Sequence, residues 1–346
     1  MPNRRRLLAL FSVMSLVVAT SCGSDSDDAD DSASAATAPP ASTAPPASTT
    51  AVTDATDGSA DGAGDVRVVE HALGTSEVPV EPERIVSMDS IVTLDALVAL
   101  DSFDAVVGRI DISTADDPYW LDVDVESVPL LGTFPTISIE EILSVDPDLV
   151  VGFQIAVELL DQVPNEVVPL VAVAPTDGIT NPRWQDVVTG LGETLDKETE
   201  ADAIIADYDA ELDAVVAGLP DGFANRTVLV LLGSAGMVGT AMGSSAGPAE
   251  VFGRLGLIVS PELDGQGDFV TLADEQVPDL RADAVVVLDF DGGATDWDAA
   301  LADLPAYAAN EAIARGVTVV DGTLWLNSGP IGQTRLLGEL VEVLAP

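Results

Sequence analysis

Short apolar runs, each followed by a stretch with helical spacing, fill the chain beyond residue 65. The runs are rich in Val, Ile and Leu and do not alternate strictly with polar residues. This pattern is typical of strands in a parallel sheet that is covered by helices on both faces. Apolar residues recur with helical spacing at 91–100 and 138–145. The predicted strands of this first set lie at 83–89, 104–109, 148–153 and 167–175.

A second set of the same kind follows nearer the C-terminus. Its apolar runs lie at 226–233, 249–259, 283–290 and 316–322. Together the two sets predict an α/β fold with two Rossmann-like α/β/α lobes, each built on a parallel sheet. We place the N-terminal lobe at 66–183 and the C-terminal lobe at 220–346.

The segment between the lobes, 184–219, is predicted to be helical. From Lys197 to Leu219 it contains no Pro and a single Gly, and its apolar residues recur at steps of three and four. These residues are Ala201, Ile204, Ile205, Tyr208, Leu212, Val215, Val216 and Leu219. Because a helix rises by about 1.5 Å per residue, this stretch is long enough to span a small domain. We therefore expect one long helix to join the lobes.

Two segments, one in each predicted lobe, share the pattern of a helix, a turn and an apolar strand. The first is SIEEILSVDPDLVVG at 138–152, and the second is TLADEQVPDLRADAVVVLD at 271–289. We interpret them as equivalent units of two similar lobes. Ligands of open parallel sheets bind outside the carboxyl ends of the strands. Two lobes that face each other through those ends therefore predict a ligand cleft between them.

The N-terminus has the pattern of a secretory signal peptide at 1–21. Arg4-Arg5-Arg6 is followed by a mostly apolar run at 7–19 and then by small residues. The run is too short to span a bilayer. Residues 22–65 consist mostly of Ala, Ser, Thr, Pro, Asp and Gly, so they cannot bury enough apolar surface to offset the entropy of ordering. We predict a disordered tether there.

The chain is strongly acidic. Outside the leader and the tether it has 10 Lys and Arg against 50 Asp and Glu, a formal charge of −40. Such a surface repels the phosphates of nucleic acids and anionic lipid headgroups, which excludes nucleic acid as a partner. We interpret the acidity as an adaptation for solubility or for a salty habitat rather than as catalytic machinery.

Residues that carry covalent or metal chemistry are scarce. GSSAG at 243–247 matches the nucleophile-elbow pattern, but that pattern requires a histidine later in the chain. The one histidine, His71, precedes it. A single histidine also argues against direct capture of Zn²⁺ or Mn²⁺. The sequence therefore predicts no enzyme activity, no resident metal and no cofactor.

Four segments beyond the tether carry a resemblance to a known family. They are GTSEVPVEPERIVSMDSIVTLDALVAL (74–100), LGTFPTISIEEILSVDPDLVVG (131–152), WQDVVTGLGETLDKETEADAIIADY (184–208) and VTVVDGTLWLNSGPIGQTRLLGEL (317–340). In this order they resemble the substrate-binding proteins of ABC importers, in the class with one helical connection between lobes. The resemblance is greatest to iron-siderophore binding lipoproteins and weaker to cobalamin- and haem-binding relatives. Ahead of them, Thr20-Ser21-Cys22 resembles a lipobox, although Ala19 stands where leucine is usual.

The resemblance implies an extracytoplasmic protein that is anchored to the membrane by acyl chains on Cys22, the one cysteine. It implies a monomer that captures a ferric siderophore between its lobes and delivers it to an ABC permease with its ATPase. A cobalamin or haem receptor of the same fold and, more distantly, an anchored surface hydrolase stay open as alternatives. The scarcity of Lys and Arg favours a neutral or cationic chelate, such as a ferric hydroxamate.

Several polar residues at predicted strand ends are candidates for ligand contact. Asp89 and Ser90 follow the first strand, although they also suit the cap of a helix. Arg109 follows the second strand and suits either a ligand oxygen or an ordinary surface ion pair. Asn181 and Arg183 lie just before the connecting helical region, near the junction of the lobes.

Apolar candidates complete the predicted site. Met237 and Met242 lie in a glycine-rich stretch, 231–252, that we predict to be a loop lining the cleft. Trp325 suits either a flat apolar chelate or the core. The full set of candidates is Asp89, Ser90, Arg109, Phe134, Phe153, Gln154, Asn181, Arg183, Met237, Met242, Phe290, Asp291 and Trp325.

Two glutamates have a different expected role. Glu140 begins the predicted helix of the first repeated segment, and Glu275 occupies the corresponding place in the second. The resemblance implies that one surface glutamate on each lobe docks into arginine pockets of the permease. Solvated carboxylates at helix starts are the plainer interpretation.

Overall fold

A computed structural model describes residues 65–112, 118–134, 136–158, 160, 167–175, 182–244 and 249–344. The predicted signal peptide and all but the last residue of the predicted tether lie outside the described residues. The strands are Val66–His71 (β1), Gly74–Pro79 (β2), Ile85–Ser87 (β3), Val106–Ile112 (β4), Leu130–Phe134 (β5), Thr136–Ile137 (β6), Leu149–Phe153 (β7), Leu170–Ala174 (β8), Thr227–Ser234 (β9), Met237–Met242 (β10), Ile258–Val259 (β11), Phe269–Thr271 (β12), Ala284–Asp289 (β13) and Thr318–Asp321 (β14). The α-helices are Val92–Ala99 (α1), Ile139–Ser144 (α2), Gln154–Glu158 (α3), Trp184–Leu195 (α4), Glu198–Ala217 (α5), Ala249–Arg254 (α6), Trp297–Ala302 (α7), Pro305–Ala308 (α8), Gly322–Asn327 (α9) and Pro330–Leu344 (α10).

The first sheet has the strand order β6-β5-β4-β3-β7-β8. Its pairings from β5 through β8 are parallel, and the two-residue strand β6 pairs antiparallel with β5. β7 and β8 are buried at every position, as expected for strands that are covered on both faces. The predicted parallel sheet of the first lobe is confirmed. The β1–β2 hairpin packs beside it, and the Ser76 hydroxyl donates a 2.8 Å hydrogen bond to the Leu170 carbonyl oxygen.

The second sheet has the strand order β12-β10-β9-β13-β14, with β11 also paired to β9. β9, β11, β13 and β14 pair in parallel, whereas β10 pairs antiparallel with both β9 and β12. A two-residue turn at Ala235 and Gly236, both with positive φ, joins β9 to β10, and so short a connection can only return the chain antiparallel. The second sheet is therefore mixed rather than parallel. The stretch 237–242, predicted as part of a loop, is a strand.

Two helices occupy the connecting segment. α4 packs on β8 of the first lobe and ends at Asp196, which has a left-handed backbone with φ of 61°. α5 then runs for 20 residues, about 30 Å at 1.5 Å per residue, and packs against α4 and α10. A long helix between the lobes is thus confirmed, and the buried side chains of Ala201, Tyr208 and Leu212 lie on its predicted apolar face.

One continuous apolar core joins the two lobes. It contains residues of the first sheet and its helices, of α5 and α10, and of one face of the second sheet, where Val228, Val230, Val286 and Leu288 lie. The alternate residues of β9 and β13 point into a second cluster around Trp297. The C-terminal helix α10 packs against α1 of the first lobe as well as against α5 and α9.

The two repeated segments differ in their first parts. Residues 139–144 form α2 ahead of β7, whereas the corresponding part of the second lobe has a turn at 274–276 and one 3₁₀ turn, Val277–Asp279, ahead of β13. Pro278 lacks an amide hydrogen and so interrupts helical hydrogen bonding. The prediction of a helix around Glu275 is wrong. In the described part of the chain, no helix is both long enough and apolar enough to cross a membrane.

Candidate functional site

A cavity of about 70 Å³ lies where the two lobes meet. From the first lobe it is lined by the starts of α1 and α4, which follow β3 and β8, and from the second by α6 and the junction of α9 with α10; α5 closes one side. Apart from the Tyr208 phenol, its polar lining residues are Arg183, Gln185, Glu250, Arg254, Asn327, Ser328 and Gln333. The cavity is far smaller than the roughly 300–1,000 Å³ of typical ligand pockets. A large ligand therefore requires the lobes to move apart.

An ion pair connects the two lobes at this cavity. The Arg183 guanidinium, which precedes α4, lies 3.0 Å from the Glu250 carboxylate on α6. Both side chains are about half exposed, so the pair contributes only about 0–1 kcal/mol to stability. Arg254 on the same helix pairs with Asp213 of α5 at 2.8 Å and also contacts Asp209. Both arginines of the lining are therefore neutralised by carboxylates.

Two aromatic side chains, Trp184 and Tyr208, lie in the lining beside the aliphatic residues Val92, Pro182, Leu212, Val251 and Leu326. The Trp184 and Tyr208 rings meet edge to face with centroids 4.9 Å apart and an interplanar angle of 72°, a favourable geometry for an aromatic pair. Burial raises the pKa of the Tyr208 phenol well above its ordinary value. This wall therefore stays uncharged at neutral pH.

The predicted residues Asp89, Ser90 and Arg109 are buried rather than exposed. The Asp89 carboxylate accepts hydrogen bonds from the amides of Ile91 and Thr93 at 3.0 and 2.9 Å, and burial raises its pKa. The Ser90 hydroxyl accepts from Arg109 Nη1 at 3.1 Å. Asp89 and Ser90 have no exposed surface. In this structure the capping interpretation describes Asp89, whereas the Ser90 hydroxyl donates to the Ile110 carbonyl oxygen at 2.8 Å.

The other first-lobe candidates lie at strand ends. Phe153 ends β7 and is buried. Gln154 begins α3, and its amide donates to the Glu158 carboxylate at 2.7 Å. Phe134 ends β5, but its side chain, like the whole of Asn181, lies outside the described residues.

Three second-lobe candidates do not share one surface. Met237 begins β10 and is exposed, whereas Met242 ends the same strand inside the core. Trp325 is buried against Phe252, with ring centroids 6.2 Å apart, and its indole N–H donates to the Glu339 carboxylate at 3.3 Å. Trp325 thus occupies the core position that the sequence left open as an alternative.

Asp291 and Phe290 support the end of β13. The Asp291 carboxylate accepts hydrogen bonds from the amides of Ala235 and Gly236, at 2.6 and 2.9 Å, and so holds the β9–β10 turn. The Phe290 ring packs over Gly322, where a Cβ atom would lie 2.7 Å from the ring. Both residues therefore fix the shape of the strand ends.

Of the predicted ligand residues that the structure describes, Arg183 is the one that lines the cavity. The lining also contains residues that the sequence did not single out, among them Gln185, Glu250, Arg254 and Asn327. The rarity of cations was a usable signal for Arg254, since it is one of 10 Lys and Arg in the two lobes. No sequence pattern marks Glu250 among so many acidic residues.

Both predicted docking glutamates are exposed. Glu140 lies in the first turn of α2, where its own backbone amide and the Ser138 hydroxyl hold its pKa below the usual value. Glu275 lies in the turn before Val277–Asp279. Cys22 lies outside the described residues.

Within the described ranges, no group of three or more His, Cys, Asp or Glu residues could hold a metal ion.

The chain matches the family model described as "Periplasmic binding protein" over residues 85–321. Among curated proteins it is similar to the probable siderophore-binding lipoprotein YfiY of Bacillus subtilis (strain 168). The two are 26% identical over 230 residues, which cover 63% of this chain and 67% of the relative.

Solved structures share the fold. SirA of Staphylococcus aureus, solved with staphyloferrin B, has a TM-score of 0.64 at 24% identity, over 80% of this chain and 98% of that protein. FeuA of Bacillus subtilis, solved with ferri-bacillibactin, has a TM-score of 0.62 at 21% identity, over 80% and 98%. The haem-binding protein HutB of Vibrio cholerae has a TM-score of 0.59 at 19% identity, over 76% and 99%.

Proposed function

Because the chain belongs to the periplasmic binding protein family, we propose that it captures a ferric siderophore between its two lobes and delivers it to an ABC import permease. The role requires no covalent step. Binding excludes the chelate from solvent, and the permease with its ATPase recognises the loaded shape.

The observation that carries this proposal is the cavity to which both lobes contribute. The first lobe supplies the segment around Arg183 and Trp184, and the second supplies Glu250 and the residues after α9. A ligand that separates Arg183 from Glu250 and then contacts both lobes would be held by residues distant in the chain. Sites of this kind lie at the carboxyl ends of parallel strands.

The charge of the lining supports a neutral or cationic chelate, such as a ferric hydroxamate. Arg183 and Arg254 each pair with carboxylates, so they leave little positive charge to balance a trianionic ferric catecholate. A relative's name, siderophore-binding lipoprotein, supports the wider class of ligand.

The cellular setting that we propose for this function involves residues away from the cavity. In our proposal, Cys22 carries the acyl chains that hold a monomer to the outer side of the membrane, and 23–65 is the spacer. Glu140 and Glu275, both exposed, are the proposed contacts with the permease.

Titration of the purified full-length protein tests the proposal. Ferrioxamine B (a ferric hydroxamate), a ferric triscatecholate, haem and cobalamin are added separately while tryptophan fluorescence is followed. We expect saturable quenching by a ferric chelate, because Trp184 lines the cavity. The hydroxamate should quench most strongly, because both arginines of the lining are paired with carboxylates.

Two variants locate the response. In W184F the quenching should shrink, whereas in W297F it should persist, because Trp297 is buried in the second cluster away from the cavity. Quenching by haem or cobalamin alone would mean that one of these, and not a siderophore, is the ligand of the protein. Quenching by none of the four would remove support for the proposed function.

A further inference from the structure

A buried carboxylate lies directly behind the cavity wall. Asp95 is on α1, one helical turn beyond the cavity residue Val92, and its side chain has no exposed surface. Burial raises its pKa to about 6, although several hydrogen bonds act in the opposite direction. Burying a carboxylate is unfavourable unless hydrogen bonds compensate for the lost hydration. The hydrogen-bond partners of Asp95 therefore determine whether it can stay buried in its ionised form.

Those partners come from two distant parts of the chain. The Trp120 indole N–H, in the segment between β4 and β5, donates to Asp95 Oδ2 at 2.7 Å. The amides of Ile331 and Gly332 donate at 2.8 and 3.0 Å. These two amides belong to the first turn of α10, where backbone N–H groups have no partner within the helix, and the positive end of the helix dipole favours a carboxylate.

The contact is closely packed and depends on two glycines. A Cβ atom at Gly329 would lie 2.7 Å from the Asp95 Cβ and 2.8 Å from the backbone oxygen of Val92. A Cβ atom at Gly332 would lie 2.2 Å from the Ser328 Cβ and 2.9 Å from the Trp120 indole nitrogen. A larger residue at Gly329 would push α10 away from α1, and one at Gly332 would displace Ser328 and the Trp120 indole that contacts Asp95.

The start of α10 is continuous with the second-lobe wall of the cavity. Asn327 and Ser328 line the cavity just before the helix, and Gln333 lines it from the first turn. The Ser328 hydroxyl accepts from the Gln333 amide at 3.1 Å and donates to the Leu324 carbonyl at 2.6 Å. The wall is therefore one hydrogen-bonded unit, and its position relative to the first lobe depends on Asp95.

We infer that Asp95 is a positioning residue for ligand binding: through Trp120 and the first turn of α10 it holds the cavity wall at 326–333 in register with the first lobe. This inference rests on the proposed function, because it concerns the same cavity. Asp95 itself does not face the cavity and acts through its partners. Asparagine cannot replace it, since a carboxamide has one acceptor oxygen and turns an NH₂ group toward amide donors.

The test compares full-length D95N with the wild type in two measurements. Hydrogen exchange, read by mass spectrometry, reports on 326–333 without any ligand, and titration with ferrioxamine B reports on affinity. We expect faster exchange at 326–333 and binding weaker by at least about fivefold, a common size for coupling between linked sites. W120F removes one donor and should shift both readouts in the same direction by less, which covers the case in which D95N does not fold.

D148N is the matched control. The Asp148 carboxylate also accepts from two backbone amides, those of Glu83 and Arg84, at 2.9 and 3.0 Å, but it lies at the amino ends of β3 and β7 and binds within one lobe. The D148N substitution should leave hydrogen exchange at 326–333 and the affinity for ferrioxamine B unchanged.

Each outcome decides something different. Unchanged exchange at 326–333 in both D95N and W120F would overturn the inference, and so would faster exchange with unchanged affinity. If the wild type binds no ligand of the panel, the proposed function fails, while hydrogen exchange still decides whether Asp95 positions the wall.

Discussion

His71 fixes the β1–β2 hairpin to the first sheet. Its Nδ1 accepts hydrogen bonds from the amides of Leu73 and Ala172, at 3.2 and 3.4 Å, and its Nε2 lies 3.0 Å from the Ser76 hydroxyl oxygen. Because that hydroxyl donates to Leu170, the ring is neutral with its proton on Nε2. A proton on Nδ1 would point at two amide donors.

The pH dependence of stability follows from this arrangement. Burial lowers the pKa of His71 from 6.5, so between the two values the unfolded chain binds more protons than the folded one. The free energy of unfolding should therefore fall as the pH drops below 6.5, and this fall should be smaller in H71Q. Urea unfolding at about pH 7.5 and about pH 5.5 measures it.

The comparison with H71Q is needed because Asp95 gives the free energy of unfolding the opposite pH dependence. Its raised pKa of about 6 means that its contribution to stability is lost as the pH rises toward neutrality. An identical pH dependence in the wild type and in H71Q would contradict the role given to His71. In the sequence, His71 bears only on the hydrolase and metal-capture interpretations, because burial of a single histidine leaves no pattern in the chain.

Helix α4 touches the sheet through backbone atoms. A Cβ atom at Gly190 would lie 1.9 Å from the backbone oxygen of Val173 in β8, so G190A must push α4 off the sheet. We expect a loss of about 1–3 kcal/mol in the free energy of unfolding. Chemical denaturation of the variant measures this loss.

Gly253 in α6 provides a matched control. No atom lies within 4 Å of a Cβ at that position, so G253A should be neutral or stabilising by up to about 1 kcal/mol, the helix propensity of alanine over glycine. Equal stability of G190A and the wild type would mean that α4 does not approach β8 this closely.

Helices and strands whose apolar residues repeat regularly could be predicted from the sequence. Elements whose conformation depends on one or two particular residues could not. The prediction of 197–219 as one helix agrees with α5, since eight apolar positions repeat along it. The sequence predicts a loop where β10 lies, because 231–252 is the most glycine-rich stretch of the lobes. Likewise, one proline, Pro278, outweighs the helical pattern around Glu275.

The whole molecule carries a large excess of negative charge, with 10 basic and 50 acidic residues in its two lobes. Mutual repulsion of these charges destabilises the compact state, and salt screens it. The free energy of unfolding should rise between about 0.05 and about 0.5 M NaCl. KCl should act equally, because screening does not depend on the cation. A fall in stability with salt would contradict this account, since exposed ion pairs contribute only about 0–1 kcal/mol each.

The location of the site could be predicted better than its residues. Two lobes with strand ends facing each other imply an interlobe site, and Arg183 is predicted near the junction because it directly precedes the connecting helical region. Asp89, Ser90 and Trp325 also follow strands, but local hydrogen bonds hold the first two in the interior and core packing buries Trp325. Contacts such as Arg183 with Glu250 depend on how the lobes meet, which no local pattern contains.

The central claim is that the ligand binds between the lobes. The most direct test is a crystal structure of the full-length protein grown with a ferric siderophore that quenches its fluorescence, with anomalous diffraction at the iron edge. The account predicts a single iron peak between the segment of Arg183 and Trp184 and the segment at 326–328. An iron peak on the outer surface of one lobe would contradict it.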